Sequence, residues 1–302
     1  MRVAITGPTG SIGSDLIQSH LDAGDSVIAI VNPKSTRKSN LPVSDRLTVL
    51  ECGLGDYQDI MGDQKCYMFY HLAWSGSGPD VRNDDGIQSK NIDYALDAVK
   101  LAHSWGAKKF IGAGSQAEYG RLDKPISSDT PASPVTAYGR AKYAAGLKCK
   151  TVCREIGMGF NWARILSVYG PNDDRNLLVQ YVIDRLSKGE PPELSPCEQI
   201  WDLMYSKDCA EALRIMALKG KDGKTYNISS GDARPLKEHI LRIRDIVASN
   251  IDIRFGTRDY YPGQTMMLAA DTEELFEDTG FRPRYTLEDG IIDMLSYKAN
   301  NL

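Results

Sequence analysis

A short apolar run at residues 3–5 breaks into Gly7, Gly10 and Gly13, and beyond the first two glycines Ile12, Leu16 and Ile17 recur at helical spacing. Strand, tight turn and helix start, in that order, aim backbone N–H groups at a pyrophosphate. The first glycine permits the turn, the second lets backbone approach the ligand, and the third lets the helix settle closely on the strand. A first strand of an α/β sheet belongs here, and the rest of the chain has to supply its neighbours.

Apolar runs at residues 27–31, 47–50, 67–72, 110–113 and 160–165 are short and bounded by glycine or polar residues, as buried strands are. Helical patterns lie among them at 87–104, with Ile92, Leu96, Val99 and Leu101 on a shared side, and at 136–156. We therefore expect an α/β fold, a doubly wound parallel sheet with helices on both faces. From about residue 171 the alternation fades: Pro191, Pro192 and Pro196 interrupt the chain, and helices at 207–218, 236–249 and 272–279 accompany short strands such as 225–228. Residues 1–170 read as a dinucleotide-binding part, with strand and helix returning at about 200–230, and 171–302 as a smaller mixed part that is mainly substrate-binding.

Composition narrows the setting. A chain of 302 residues, 42% hydrophobic and 25% charged, can bury a sizeable core. Its net charge of -4 leaves no general basic surface, which argues against nucleic acid as a partner. No run approaches the roughly eighteen apolar residues of a membrane helix and no leader precedes the first strand, so we expect a cytoplasmic protein away from membranes. The six cysteines include no Cys-x-x-Cys pair, which fits reduced thiols and no metal site.

Tyr138 and Lys142 stand four residues apart in a segment where Ser133 can cap a helix and Pro134 suits its first turn. Both side chains then share one helix face, about 5–6 Å apart. A free phenol ionises near pH ~10, and a neighbouring ammonium favours the phenolate, making the tyrosine a usable acid or base near neutrality. Ser115 follows the run at 110–113 and so stands at the carboxyl end of a central strand, within reach of the same crevice. A hydroxyl there can hydrogen-bond a substrate carbonyl or alcohol while the tyrosine moves the proton.

Several segments together carry a resemblance: Thr6 to Gly13, His71-Leu72-Ala73-Trp74, Ser115, Tyr138 with Lys142, Tyr169-Gly170-Pro171-Asn172, and residues 201–212. They span nearly the whole chain, which resembles the extended short-chain dehydrogenase/reductase superfamily in its branch of sugar-nucleotide epimerases, dehydratases and reductases. The resemblance implies a Rossmann sheet and a nucleotide-sugar substrate. It makes Tyr138 the general acid/base, Lys142 the group that lowers its pKa and holds the nicotinamide ribose, and Ser115 the group that polarises the reacting oxygen. Gly7, Thr9, Gly10, Ser11, Ile12 and Gly13 would hold the pyrophosphate, and Asn32, Arg37, Leu54, Leu72 and Ala73 other parts of the dinucleotide. Trp74, Gln116, Ser167, Arg175 and Trp201 would face the substrate. Asn91 resembles the family's asparagine at that place and is equally explained as a helix-surface amide, and His71 reads as packed or cofactor-adjacent. The helices at 88–104 and 136–156 would pair in a homodimer as a four-helix bundle.

Departures from the family pattern narrow the reaction. Family 4,6-dehydratases carry an Asp-Glu pair after the serine or threonine, where this chain has Gln116 and Ala117, and an alanine cannot move a proton. The second strand ends at Val31 and Asn32 without a carboxylate for ribose hydroxyls, while Lys34, Arg37 and Lys38 would attract a 2′-phosphate. NADP(H) is therefore favoured, with NAD(H) possible. Gly53 takes the place of an adenine-binding aspartate. Ser167 and Trp201 replace the asparagine and arginine that hold a substrate diphosphate, leaving Arg175, Lys207 and Arg258 as available cations. NADPH use points to a ketoreductase similar to the CDP-abequose and CDP-paratose synthase type. The rival readings are a 4-epimerase that retains NAD and a dinucleotide-sensing regulatory protein on the same fold.

Overall fold

Successive strand residues point to opposite faces, and here both faces are covered. In the computed structural model, which describes all residues but 79, 128, 175, 301 and 302, seven strands form one parallel sheet. They are β1 (Arg2–Thr6), β2 (Ser26–Val31), β3 (Leu47–Glu51), β4 (Met68–His71), β5 (Lys109–Ser115), β6 (Gly159–Ile165) and the later β10 (Lys224–Ile228). Their order is β10-β6-β5-β4-β1-β2-β3. Val3, Ile5, Val27, Ala29 and Tyr70 face Leu16 and Ile17 of α1 (Ser11–Asp22) and Leu213 and Met216 of α5 (Ser206–Lys219). Ala4, Ile28, Phe69, Phe110 and Phe160 face Val99 of α2 (Asp85–Ser104) and Ala145 and Cys149 of α3 (Ala137–Glu155). Burial on both sides is why these strands read as unbroken apolar runs.

The chain winds from β1 outward through β2 and β3, then returns to β4 and proceeds the other way. Between β1 and β4 the winding reverses, and the crevice beyond their carboxyl ends is where such sheets bind ligands. Thr6 and His71 are register partners at that point.

Beyond residue 165 the chain builds a second layer. β7 (Val168–Tyr169) pairs with β9 (Met204–Tyr205), and β8 (Ile200–Asp202) is flanked by β11 (Ala233–Pro235) and β12 (Met267–Leu268). Around them pack α4 (Leu178–Ser187), α6 (Leu236–Val247) and α8 (Leu287–Asn300), sharing an apolar cluster of Val182, Ile183, Ile240, Ile243 and Ile291. α7 (Glu273–Thr279) closes on Gly280 in the left-handed conformation, φ 75°, the usual glycine stop of a helix.

Two helix starts differ from the sequence reading. α3 is capped by Thr136, whose hydroxyl accepts from the Gly139 N–H at 3.0 Å, and not by Ser133. The Ser133 N–H is instead held by the Glu118 carbonyl at 3.0 Å, which keeps Ser133 and Pro134 extended before the helix. α2 begins two residues earlier than its apolar pattern, because Asp84 accepts from the Ile87 N–H at 2.9 Å. Of the described residues, no helix is long and apolar enough to cross a membrane.

Candidate active site

The glycine turn divides its labour unevenly. Gly7 adopts φ +69°, and a Cβ there would sit 2.8 Å from the Ala73 nitrogen. A Cβ on Gly13 would sit 2.2 Å from the Gly7 carbonyl oxygen, so this glycine is where α1 presses on the turn. Gly10 is different: a Cβ there would meet only the Gly7 oxygen at 3.7 Å, an ordinary contact. The protein itself does not require a glycine at position 10, and the space beside it is open to a ligand. Gly10 is also the N-cap of α1 and offers no side-chain acceptor, so the first-turn N–H groups are left for a ligand. A cavity of about 560 Å³ runs from Gly7, Thr9, Gly10 and Ile12 past Leu72 and Ala73 to Ser115, Tyr138 and Lys142, with Asn32, Arg37 and Leu54 at its other end. A dinucleotide fits this cradle: an open helix N-terminus over a glycine, continuous with the reacting corner. Ser11 and Gly13 lie outside the lining; Gly13 serves packing, and the Ser11 hydroxyl is turned toward Gly170.

Thr6 and His71 tie the floor of the crevice. The Thr6 hydroxyl is 2.9 Å from His71 Nδ1 and accepts from the Ala73 N–H at 3.2 Å. Burial pushes His71 down to about 3, with the Lys142 charge adding to the effect, so the ring stays neutral and packed. Asn91 is buried: its amide accepts from the Ser75 N–H at 2.8 Å and donates to the Ser75 carbonyl at 2.9 Å. It is a strut between α2 and the β4–α2 loop and not a helix-surface amide.

Ser115 ends β5 and caps a single helical turn, with its hydroxyl accepting from the Ala117 N–H at 3.2 Å. Reciprocally, Glu118 Oε1 accepts from the Ser115 N–H at 2.8 Å. The Glu118 carboxylate is 1% exposed and also accepts from Trp162 Nε1 at 2.9 Å and Arg164 Nε at 2.8 Å, so two residues of β6 fix the turn that presents Ser115. Sequence reasoning passed over Glu118, although a serine followed three residues later by glutamate is the mark of a capping box.

The Ser115 hydroxyl and the Tyr138 phenol line the same cavity, and the Lys142 ammonium lies 5.8 Å from the Tyr138 ring centroid. Lys142 is buried, donates to the Ala113 carbonyl at 2.7 Å, and sits 3.8 Å from the Trp74 ring centroid. Burial drives it down to about 7, opposed by the Glu118 carboxylate. The Tyr138 phenol is raised: burial lifts it, the Ser115 hydroxyl and the Arg82 charge pull it down, and Glu118 lifts it further. The sequence argument that Lys142 lowers the phenol is therefore corrected for this arrangement. The ammonium is spent on a carbonyl and an indole face, and burial dominates.

At the end of β2, the Asn32 side chain accepts from the Lys34 N–H at 3.0 Å, and Lys34 and Arg37 line the cavity. Lys38 pairs with Glu51 and is outside it. At Gly53 a Cβ would meet Asp56 Oδ2 at 2.5 Å, so a neighbouring carboxylate fills the space a side chain there would take.

A second cavity of about 810 Å³ contains Ser167 and Trp201, with Tyr181, Gln199, Tyr260 and Tyr261. The segment 165–168 runs between the two cavities: Ile165 and Leu166 line the smaller, and Ser167 and Val168 the larger. Arg258 lines this larger space and is held by Glu193 at 2.6 Å. Gln199 is buried with its Oε1 unpartnered, a group the sequence reading did not single out. Not every expected substrate residue comes here. Trp74 lines the smaller cavity, where its ring meets Tyr138 edge-on at 6.0 Å and its Nε1 donates to Gln88 at 2.9 Å. Gln116 lies on the single turn after β5, outside both linings. Lys207 is paired with Asp293 at 2.7 Å and is also outside. Arg175 falls outside the described residues.

Comparison with known proteins agrees with this geometry. The chain is 24% identical over 320 residues to a Bacillus subtilis protein named as an uncharacterized UDP-glucose epimerase, YtcB, covering 99% of this chain and 98% of the relative. The structure superposes with a TM-score of 0.90 on UDP-glucose 4-epimerase from Thermotoga maritima with UDP-glucose, at 23% identity and covering 100% and 99% of the two chains. DesIV, a dTDP-glucose 4,6-dehydratase from Streptomyces venezuelae with NAD bound, superposes with a TM-score of 0.88 at 19% identity over 100% and 98% of the chains. The family model described as NAD dependent epimerase/dehydratase family matches residues 3–229. The chain belongs to that family and is an NAD(P)-dependent enzyme of the extended short-chain dehydrogenase/reductase type.

Proposed function

We propose that this enzyme uses NADPH to reduce the 4-keto group of a nucleotide-activated 6-deoxyhexose. The observation that carries the reading is the placement of Ser115, Tyr138 and Lys142 at one end of a cavity whose remaining length fits a dinucleotide. A bound reduced nicotinamide supplies the hydride. Ser115 hydrogen-bonds the keto oxygen, Tyr138 gives its phenolic proton to the nascent alkoxide, and Lys142 orients the ribose. The nucleotide lies in the larger cavity against Ser167 and Trp201, with Arg258 turning from Glu193 to the diphosphate. On this reading residues 1–170, with 200–230, hold the dinucleotide and 171–302 mainly the substrate.

NADPH is favoured because no carboxylate follows Val31 and because Lys34 and Arg37 line the cavity there. Elimination of water is disfavoured: Gln116 and Ala117 leave no acid–base pair beyond Ser115. The proposal includes a cytoplasmic homodimer joined through α2 and α3. A second reading, an NAD-retaining 4-epimerase, draws on relatives named as UDP-glucose epimerases and a relative that binds NAD.

The test is consumption of NADPH with CDP-, UDP-, dTDP- and GDP-linked 4-keto-6-deoxyhexoses. One of them is expected to oxidise NADPH, with Tyr138→Phe slower by about 10²–10⁴-fold. Arg37→Ala is expected to weaken NADPH about tenfold or more and leave NADH unchanged, the loss of one charge-assisted contact to a 2′-phosphate. Interconversion of UDP-glucose and UDP-galactose without added dinucleotide would establish the epimerase instead. No turnover on any substrate, with biological activity unaffected by Tyr138→Phe, would point to a dinucleotide sensor.

A further inference from the structure

The β4–α2 loop brings a second cation to Tyr138. The Arg82 guanidinium lies 4.5 Å above the centroid of the Tyr138 ring. Its place is fixed from two sides. The Arg82 carbonyl accepts from the backbone N–H of Tyr138 itself at 3.0 Å, and Asn83 Oδ1 accepts from the neighbouring Ala137 N–H at 3.4 Å. On the α2 side, the Gln88 amide donates to the carbonyls of Gly76 at 2.6 Å and Val81 at 3.3 Å. Of the carboxylates nearest in sequence, Asp84 caps α2 and Asp85 pairs with Arg140 at 3.0 Å, and Asp80 makes no ion pair with Arg82. Among the described residues no carboxylate pairs with Arg82, and it lies outside both cavity linings. Its guanidinium is therefore placed for the ring and not for a ligand in either cavity.

We propose that Arg82 is a positioning residue for the proton-transfer step, which holds the Tyr138 ring by stacking and stabilises its phenolate. A cation over an aromatic face is attracted by the ring, and the attraction grows when the ring carries the negative charge of a phenolate. The other groups facing Tyr138 leave room for this role. Ser115 contributes a neutral hydroxyl, Glu118 a charge of the wrong sign, Trp74 a neutral edge, and Lys142 an ammonium already bonded to Ala113. Among the described residues Arg82 alone is a permanent cation on the ring face.

The inference deepens the proposed reaction and rests on Tyr138 as its acid, but its test needs neither substrate nor dinucleotide. Ionisation of Tyr138 is isolated as the near-ultraviolet tyrosinate absorbance of a protein minus that of the same protein carrying Tyr138→Phe, followed against pH. Arg82→Gln is expected to raise the Tyr138 midpoint by about one pH unit, a tenfold loss of phenolate at a given pH. Arg82→Lys, which keeps the charge and loses the planar stack, is expected to give a smaller rise. An unchanged or lowered midpoint in Arg82→Gln overturns the proposal. If circular dichroism finds that variant unfolded, Arg82→Lys decides by the same criterion.

Discussion

At the scale of single residues, the three glycines of the turn make one motif with two kinds of constraint. Gly13 is demanded by the fold, since any side chain would collide with backbone that cannot yield, whereas the space beside Gly10 is open to a ligand. Gly13→Ala is accordingly expected to cost about 1–3 kcal/mol, read as a lowered denaturation midpoint. Gly10→Ala is expected to keep the wild-type midpoint while weakening NADPH at least about tenfold, read by calorimetric titration. Equal loss of stability in both variants would contradict the division of roles. The turn was legible in sequence because its residues are contiguous. Glu118 was legible only as half of a capping box, and its hold on β6, like that of Arg82 on the first turn of α3, was not, because those neighbours lie far apart in the chain.

Among elements, α3 has the most concentrated duty, for it carries both Tyr138 and Lys142 and buries the latter. The ammonium is held at about 7, against 10.5 in an exposed lysine. The unfolded chain therefore binds this proton more readily than the folded one between those values, and Lys142 costs stability increasingly as pH falls from about 10 to about 7, then steadily below. Lys142→Met is expected to gain thermal midpoint relative to the wild type over that window and to flatten beneath it. A difference independent of pH from 7 to 10 would refute the buried, weakly basic ammonium.

The elements themselves were read with uneven success, for physical reasons. Of the six leading strands, β1, β2, β4, β5 and β6 were visible because burial on both faces keeps them largely apolar, whereas the half-exposed edge strand β3 showed only through Leu47, Val49 and Leu50. α4 and α8 were missed, although Val179, Val182, Ile183 and Leu186 of the one and Leu287, Ile291 and Met294 of the other keep helical spacing. They lie where proline and short strands interrupt the pattern, and their apolar faces pair with each other's neighbourhood and not with the sheet. At the start of α3 the helix signal was sound but the cap was misplaced. Thr136 and Ser133 are equally good caps in isolation, and the Glu118 carbonyl decides between them.

Across one face of the main sheet, helices α1 and α5 are joined through a partly buried carboxyl. Asp15 accepts from the Ser206 hydroxyl at 2.5 Å at the start of α5, and burial raises it to about 6, with the Ser206 bond and the Lys207 charge acting against the rise. An unfolded aspartate ionises near 3.8, so between these values the folded state holds the extra proton. Its stabilising contribution is present below about 4 and is lost as pH rises through 6. Asp15→Asn is expected to be more stable than the wild type above that point and equal to it in acid, by thermal denaturation across the range. A gap that stayed constant with pH would show that the carboxyl ionises normally.

The segment 165–168 is a party wall between two hollows, and Ser115, Tyr138 and Lys142 stand in the smaller one. On the proposed reading a molecule handled here needs a head and a handle: a compact end that reaches Tyr138, and a remote end that the roomier chamber grips. The grip sets the aim. A head offered without its handle would be turned over slowly even when saturating, because the distant contacts are what hold it against the phenol.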